Sequence, residues 1–455
     1  MRWCRSSAVR ARVAVTGVVM GALTALTTAS ASADPYAYPS ADTHTASDTA
    51  SSTDARAYAF AEGARPVSGA AGTTEAALLE PGGTYRSTLP AGNAAYYRLD
   101  LDAESTAYVS ATAVPGRAAT VSASDGIKVS VQDTDSRSCS YDSATVGASR
   151  SPRPVTAWGA READKPRCEG SGTYYVVVER TGATAGSAAE PWGLELTVVT
   201  EPRPAGTGAT SAPKAWDSAS PAPPGDEPER RSGGAGFATA TAVGQGVWTA
   251  GVEPGQTLFY EVPVDWGQQL YATVELGSAS GTDGTGRTDH DFAAAALNLS
   301  LHNPVRAFVE DAGTGYDGRQ QSAALDPLPP VDYANRYAPT GRVRGLRFAG
   351  SYYLVVHLAA HVADKVGPGP YGFTLRVRVK GDARNGPLYA GRSVPAGLFE
   401  VTDGEREASA GGTGTAGGEG LMTAIAAGGL GAGTAILAGL AVWVVRARRA
   451  GAPGA

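Results

Sequence analysis

Two short stretches decide the fold of this chain: GTYYVVV at residues 172–178 and GSYYLVV at residues 350–356. Each starts with glycine and continues with aromatic and β-branched residues, which are enriched in β-strands. The two stretches share their pattern although they lie far apart in the chain, and such self-similarity indicates repeated structural units. We therefore predict two related modules built from β-strands.

Three further pairs of blocks flank these stretches in the same order. They are LPAGNAAYYRL (89–99) with VEPGQTLFYEV (252–262), IKVSVQD (127–133) with LNLSLHN (297–303), and WGLELTV (192–198) with YGFTLRV (371–377). The strands alternate apolar and polar residues, and Gly or Pro bounds them. Four blocks in one order indicate a domain duplication. The second copy is longer, and we expect its extra residues in loops around 277–291 and 311–345.

The ordered motifs resemble the bacterial pre-peptidase C-terminal domain, and the resemblance covers both copies. It implies an all-β fold of two tandem antiparallel jelly-roll-like β-sandwiches, which in this family are usually appended to secreted hydrolases as accessory modules. The Asp-Leu that often opens the family's central strand is absent, with Lys128 and Asn298 in that neighbourhood. No hydrolase domain accompanies the modules, so the resemblance implies architecture more than role.

The N-terminal residues have the order of a secretory signal peptide. Basic residues come first, an apolar stretch follows to about Leu26, and small residues end at Ala33. This order of zones is typical of export signals, and the apolar stretch falls short of the roughly 20 residues that span a bilayer. We predict cleavage after Ala33 or Ala31, and an uncleaved N-terminal anchor is the alternative.

A second apolar stretch, residues 421–445, contains no charged residue and is followed directly by three arginines. A helix of this length spans about 30 Å of hydrocarbon, and arginines beyond it favour the cytoplasmic side. We therefore predict a single-pass protein of the cell membrane with an extracellular body, and a buried core helix is the alternative. The preceding residues 408–414 lack an LPxTG-like sorting signal, so we expect retention in the membrane.

Composition sets the remaining boundaries, because segments poor in large apolar side chains cannot offset the entropy of ordering. The predicted order is a signal peptide (1–33), a disordered segment (34–75), a first β-sandwich (76–201), a Pro-rich linker (202–234), a second β-sandwich (235–381), a Gly/Ala-rich stalk (382–420), a transmembrane helix (421–445) and a cytoplasmic tail (446–455). The formal net charge of −6 provides no basic field for a phosphate backbone, which argues against nucleic acid as a partner. The excess of Arg over Lys is typical of high-GC bacteria such as actinobacteria.

Cys4 lies in the predicted signal peptide, so cleavage would leave Cys139 and Cys168 in the mature chain. Two cysteines in an oxidising compartment favour a disulfide, which would stabilise the fold by about 3 kcal/mol through loop closure. A metal site is the alternative, and the absence of a nearby histidine argues against it.

Histidines are few, which leaves few candidates for acid–base or nucleophilic catalysis. His44 lies in the segment predicted to be disordered, and His290 lies in a polar insertion where it could join a cation or acid–base site or simply be solvated. His357 continues a strand and His361 follows in a loop, so the pair does not share a helical face for zinc. We predict no catalytic residue, no cofactor, no metal and no enzyme activity.

Two other groups of side chains leave alternatives open. Asp133 and Asp135 follow a strand near Asp142 and could coordinate calcium, or they could be ordinary turn formers. The tyrosine pairs at 96–97, 174–175 and 352–353 should place one ring in the core and one outside. Outward rings can stack on sugars or pack on a partner, or they can form plain cross-strand pairs.

These observations support three functional hypotheses. The first is a non-catalytic cell-surface binding or scaffold protein whose modules contact a protein partner or a wall polysaccharide. The second is an accessory subunit of a separately encoded secreted hydrolase or membrane-associated complex. The third is a hydrolase whose site is not recognisable from the residues.

Overall fold

The computed structural model of the chain describes residues 57–182, 190–206, 208–279 and 291–410. The predicted signal peptide, transmembrane helix and cytoplasmic tail lie outside the described residues, as do His44 and His290. Among the helices of the described residues, none is long and apolar enough to cross a membrane.

Within the described residues, ten strands form the first sandwich. They are β1 (Arg65–Pro66), β2 (Ala77–Leu78), β3 (Thr84–Leu89), β4 (Ala95–Leu101), β5 (Ser105–Val114), β6 (Gly126–Gln132), β7 (Ser138–Thr145), β8 (Val155–Arg161), β9 (Gly172–Thr181) and β10 (Trp192–Pro202). Sheet 1a has the order β1-β3-β10-β5-β8, and sheet 1b has the order β2-β4-β9-β6-β7.

Ten further strands, again counted over the described residues, form the second sandwich. They are β11 (Glu229–Arg230), β12 (Thr241–Ala242), β13 (Gly246–Val252), β14 (Thr257–Val264), β15 (Gln269–Leu276), β16 (Ala293–His302), β17 (Phe308–Tyr316), β18 (Gln321–Ala324), β19 (Gly350–Leu358) and β20 (Tyr371–Lys380). Sheet 2a has the order β11-β13-β20-β15-β18, and sheet 2b has the order β12-β14-β19-β16-β17. The short helices are α1 (Gly341–Arg344), α2 (Val362–Lys365) and α3 (Asp403–Ser409), with 3₁₀ turns at Phe237–Thr239 and Tyr333–Tyr337.

The two sandwiches repeat each other strand for strand, since the order of sheet 1a becomes that of sheet 2a when ten is added to every strand number. The register agrees as well. Ala77 of β2 pairs in parallel with Tyr97, and Thr241 of β12 pairs in parallel with Tyr260. Tyr97 and Tyr260 are the residues that the sequence blocks aligned, so the predicted tandem of β-sandwiches is confirmed.

The alternation along the strands fills both cores. Tyr97, Tyr174 and Tyr352 are at most 5% exposed, whereas their neighbours at 96, 175 and 353 stay partly exposed on the outer faces. This confirms the prediction that one tyrosine of each pair enters the core. A buried aromatic side chain of this size contributes roughly 1.5–3 kcal/mol, so these positions fix which face of each strand points inward.

Two segments that composition predicted to be unstructured pack against the sandwiches. Within the predicted disordered segment, the described residues 57–75 include β1, and Arg86 lies over the ring of Phe60 with 4.4 Å to its centroid. Within the predicted stalk, the described residues 382–410 pair Val394 with Thr200 of β10 and bury Phe399, which is 2% exposed. Isolated aromatic residues therefore anchor segments whose average composition is small and polar.

The linker between the sandwiches has little regular structure and lies along sheet 2a. The guanidinium of Arg378 donates to the carbonyl of Ala222 at 2.9 Å, and Lys380 pairs with Asp217 at 2.5 Å. The linker thus covers an outer face of the second sandwich.

Candidate functional site: the cleft between the sandwiches

The outer face of sheet 1a is buried by the second sandwich along a contact that we call the seam. In the described part of the chain, three ion pairs cross the seam, each joining a glutamate of the first sandwich to an arginine of the second: Glu195 with Arg306 at 2.6 Å, Glu201 with Arg336 at 2.7 Å, and Glu162 with Arg347 at 3.0 Å. Glu195 and Glu201 are 0% and 2% exposed. Carboxylates as buried as these persist only with excellent pairing and further hydrogen bonds.

The further hydrogen bonds are present. Tyr108 and Tyr389 donate to Glu201 at 2.7 and 2.9 Å, and Tyr58 donates to Glu195 at 3.0 Å. Burial alone would raise the pKa of Glu162, but the guanidinium of Arg347 lowers that pKa below its ordinary value. The guanidinium of Arg347 therefore stabilises the ionised form of Glu162.

An apolar cluster lies beside these charges. Phe348 and Phe399 stack with 4.8 Å between ring centroids, and Tyr108 packs edge-on against Phe348 at 5.3 Å. Arg347 lies over the rings of Tyr108, Trp158 and Phe348 at 5.2, 5.6 and 5.1 Å. Apolar burial and cation–π contacts add to the ion pairs and fix the two sandwiches against each other.

A cleft of about 1070 Å³ opens next to the seam. Its wall on the first sandwich is formed by β7, β8 and the loop of residues 162–168. Its wall on the second sandwich is formed by the outer face of sheet 2b and by α1. Both modules are therefore needed to build the site.

The floor of the cleft consists of side chains that alternate out of sheet 2b. Thr257 of β14 pairs with His357 of β19, which pairs in turn with Asn298 of β16. Arg153 of the first sandwich donates to the amide oxygen of Asn298 at 2.9 Å. A polar side chain of the second sandwich thus accepts a hydrogen bond from the loop that precedes β8.

His357 lies in this floor and is 1% exposed. Its Nδ1 is 3.0 Å from the hydroxyl of Thr257, and its Nε2 is 3.1 Å from the hydroxyl of Ser151. Burial, reinforced by the positive charge of Arg153, lowers the pKa of His357 to about 3. The imidazole is accordingly neutral and joins the two sandwiches by hydrogen bonds.

The other described histidines are also engaged by the backbone. His302 is 7% exposed, and its Nδ1 lies 3.2 Å from the carbonyl of Arg306. Burial lowers the pKa of His302 to about 4. The Nε2 of His361 lies 3.0 Å from the carbonyl of Ala294. Among the described residues, no group of three or more His, Cys, Asp or Glu is arranged to hold a metal ion.

A disulfide joins Cys139 of β7 to Cys168 in the loop before β9, which confirms the predicted bridge. The hydroxyl of Tyr174 donates to the carbonyls of Cys168 and Gly170 at 3.1 and 2.9 Å. The bridge and this tyrosine hold the loop that forms one wall of the cleft.

Asp133 acts as a turn former in the described structure. Its Oδ1 accepts from the backbone amides two and four residues later at 3.0 and 2.9 Å. In the second copy Asn303 does the same at 3.2 and 3.0 Å. Ser136 and Arg306 occupy the same left-handed position of the two turns, with φ of 61° and 62°. An amide serves this turn as well as a carboxylate, which favours the turn interpretation over a calcium ligand.

Exposed aromatic rings and unpaired cations line the mouth of the cleft. Tyr141 of β7 is 69% exposed and Phe308 of β17 is 44% exposed. Arg167 and Arg344 are exposed, and their side chains have no hydrogen bond or ion pair to any described residue. None of these four residues was identified from the sequence. They come from both sandwiches, and their proximity depends on how the two sandwiches pack against each other, which leaves no local signature in the sequence.

Fold and cleft together define the chain as a tandem β-sandwich protein with a site between its modules. No protein-family model matches the sequence, and no curated protein matches it.

Solved structures that resemble the chain include the pre-peptidase C-terminal domain of a collagenase from Bacillus anthracis, at 14% identity over 28% of this chain and 97% of that chain, with a TM-score of 0.18. They also include the CBM22 tandem domain of Xyn10C from Paenibacillus barcinonensis, at 11% identity over 65% and 85%, with a TM-score of 0.18. The tandem CBM51 modules of a family 98 glycoside hydrolase from Streptococcus pneumoniae match at 8% identity over 65% and 83%, with a TM-score of 0.18. At these identities and scores the likeness does not bear on function.

Proposed function

We propose that this chain is a non-catalytic binding protein that holds a polysaccharide or a protein partner in the cleft between its sandwiches. The observation that carries the proposal is the cleft of about 1070 Å³, built by both modules and lined by the exposed rings of Tyr141 and Phe308. Concave sites of this size are the usual ligand sites of proteins. Exposed aromatic rings offer flat apolar faces to sugar rings or to a partner's side chains.

The seam supports the same proposal. Its ion pairs and its apolar cluster hold the two walls of the cleft at a fixed separation. A preformed site loses less conformational entropy when it binds than one that must first assemble. The seam therefore keeps the two walls of the cleft together as one preformed binding surface.

The chemistry at the floor of the cleft favours binding over catalysis. Ser151 and His357 are in hydrogen-bond contact, as a nucleophile and its base would be. However, each is only 1% exposed, and an imidazole whose pKa is about 3 cannot accept a proton near neutral pH. The third group of this arrangement is the hydroxyl of Thr257, which carries no charge to stabilise an imidazolium. The arrangement suits a structural hydrogen bond between the modules.

We further propose that the chain is exported and anchored by one helix, with the sandwiches outside the cell. The support for this placement is the order of zones in residues 1–33 and the uncharged stretch 421–445 followed by arginines. The disulfide between Cys139 and Cys168 agrees with an oxidising compartment. Protease added to wall-stripped cells should cleave between the two modules, and full protection of the region would contradict the placement.

The binding proposal is tested with the full-length protein in detergent. Wild type and the double variant Y141A/F308A are titrated with purified wall polysaccharide and, separately, with solubilised membrane proteins of the source cells. We expect the variant to bind at least about tenfold more weakly, since buried aromatic contacts dominate such sites. L388A removes an 83% exposed leucine that lies outside the cleft and serves as the matched control. Unchanged binding by Y141A/F308A would overturn the proposal.

A further inference from the structure

The lining of the cleft has a charge opposite to that of the chain as a whole. Among the described residues that line it, seven are Lys or Arg and four are Asp or Glu, which gives a net charge of +3, whereas the formal net charge of the whole chain is −6. A concave surface of one sign attracts ligands of the other sign and orients them as they approach. The positive charge is therefore concentrated in the cleft that both sandwiches build.

Some of these positive side chains form ion pairs within the protein, and others do not. Arg342 of α1 pairs with Glu310, and Lys165 lies 3.6 Å from Glu162. By contrast, the exposed side chains of Arg167 and Arg344 have no partner among the described residues, although they lie in the opposite walls of the cleft. Two free guanidinium groups that face a shared space can both engage an oxyanion.

A third arginine adds an independent observation. Arg347 lines the cleft, is only 4% exposed, and donates through Nη1 to Glu162 at 3.0 Å. Its Nη2 is buried and has no hydrogen-bond partner in the described part of the chain. A buried charged donor without a partner costs free energy, and an oxyanion that reached it from the cleft would remove that cost.

We infer that the ligand of the cleft is an anionic polysaccharide, an inference that rests on the proposed binding function. The arginines supply contacts to carboxylate or phosphate oxygens, and the rings of Tyr141 and Phe308 supply faces for the pyranose units between these charges. A charged sugar polymer carries both anionic groups and pyranose faces at regular intervals along its length. An acidic peptide would match the charge but would present no sugar faces to the rings. Uronic-acid carboxylates and sugar phosphates share the recognised chemistry, and the experiment separates them.

The test uses the full-length protein in detergent and four defined polymers. Polygalacturonate carries carboxylates, phosphomannan carries phosphates, dextran is neutral, and poly-L-glutamate is an acidic peptide. Affinities are measured for wild type, for R167Q/R344Q, and for the control R230Q/R319Q, which changes two exposed arginines outside the cleft. All four changed side chains are exposed, so the variants should fold, and unchanged thermal unfolding verifies this.

We expect polygalacturonate or phosphomannan to bind wild type most tightly, and the tighter of the two identifies the anion. R167Q/R344Q should bind it about tenfold more weakly per arginine, the control should match wild type, and added salt should weaken binding. Three results would overturn the inference: equal affinity of R167Q/R344Q, dextran or poly-L-glutamate binding as tightly as the anionic glycans, or no polymer binding to wild type. The binding proposal itself is decided separately by Y141A/F308A, so the two can fail independently.

Discussion

Replacing Glu201 by glutamine should weaken the seam more than any single exposed change in the chain. The carboxylate is 2% exposed, pairs with Arg336 at 2.7 Å, and accepts hydrogen bonds from Tyr108 and Tyr389. Glutamine keeps the shape but removes the charge, so Arg336, itself 12% exposed, becomes a buried cation without a counter-ion. Leaving one member of a buried pair uncompensated costs about 3–5 kcal/mol.

The assay is a double-mutant cycle of E201Q, R336M and the combined variant, measured by denaturant unfolding. We expect E201Q alone to cost about 3 kcal/mol, and the double variant to cost much less than the sum of the single variants, because it removes both charges together. Hydrogen exchange should show faster exchange in β10 and in residues 333–337 while β6 and β16 keep their protection.

The control pair is Arg203 with Glu104, at 2.7 Å but 65% and 58% exposed. An ion pair on the surface contributes about 0–1 kcal/mol, so the same cycle there should give a small coupling energy. If the coupling energy of Glu201 with Arg336 is no larger than that of the control pair, the seam is not held by its buried charges and the reasoning is refuted.

Three further predictions concern stability. C139S/C168S should lower the free energy of unfolding by about 3–4 kcal/mol through loss of a loop constraint over a sequence separation of 29, and equal denaturation midpoints of variant and wild type would contradict this. His357 has its folded pKa lowered to about 3, so the unfolded chain takes up the proton first and stability should fall by about 1.4 kcal/mol per pH unit as pH drops from 6.5. H357Q should show a shallower pH slope in denaturant titrations between pH 7 and 5, and identical slopes would argue against a buried neutral imidazole. Glu261 acts with the opposite sign: burial and then the charge of Glu405 raise its folded pKa to about 7, so its contribution of at most about 3 kcal/mol is present below pH 4.5 and lost as pH rises through 7. E261Q should remove that loss at pH 8, and a variant no more stable than wild type at that pH would show that the folded pKa of Glu261 is not raised.

The strand pattern could be predicted because a strand leaves a local signature. The block at 127–133 alternates Ile127, Val129 and Val131 with polar residues, and these three side chains are all in the core of the first sandwich. A one-residue slip would turn this face to water, so the register follows from the sequence. The disulfide followed from the two cysteines that remain after the predicted signal peptide and from the predicted oxidising compartment.

The seam could not be predicted in this way. Glu195 and Glu201 occupy polar positions of an alternating strand, where a solvated carboxylate is the ordinary expectation. Their burial depends on Arg306 and Arg336, which lie more than a hundred residues later in another module. The packing of residues 382–410 was hidden for a related reason: composition averages over many small residues, whereas a few side chains such as Phe399 and Tyr389 anchor the segment.

Comparing the two copies position by position explains why the contact forms within one chain. The position of Glu195 in β10 is Thr374 in β20, and that of Glu201 is Lys380. At these two positions the second copy therefore carries a neutral and a cationic side chain in place of the glutamates that pair with Arg306 and Arg336. Residues of the linker also cover sheet 2a, through the ion pair of Lys380 with Asp217. A head-to-tail contact between like modules can propagate into an open chain unless one end is altered. In this protein the divergence of the second copy alters that end, so the seam closes after a single step and leaves one cleft with two different walls.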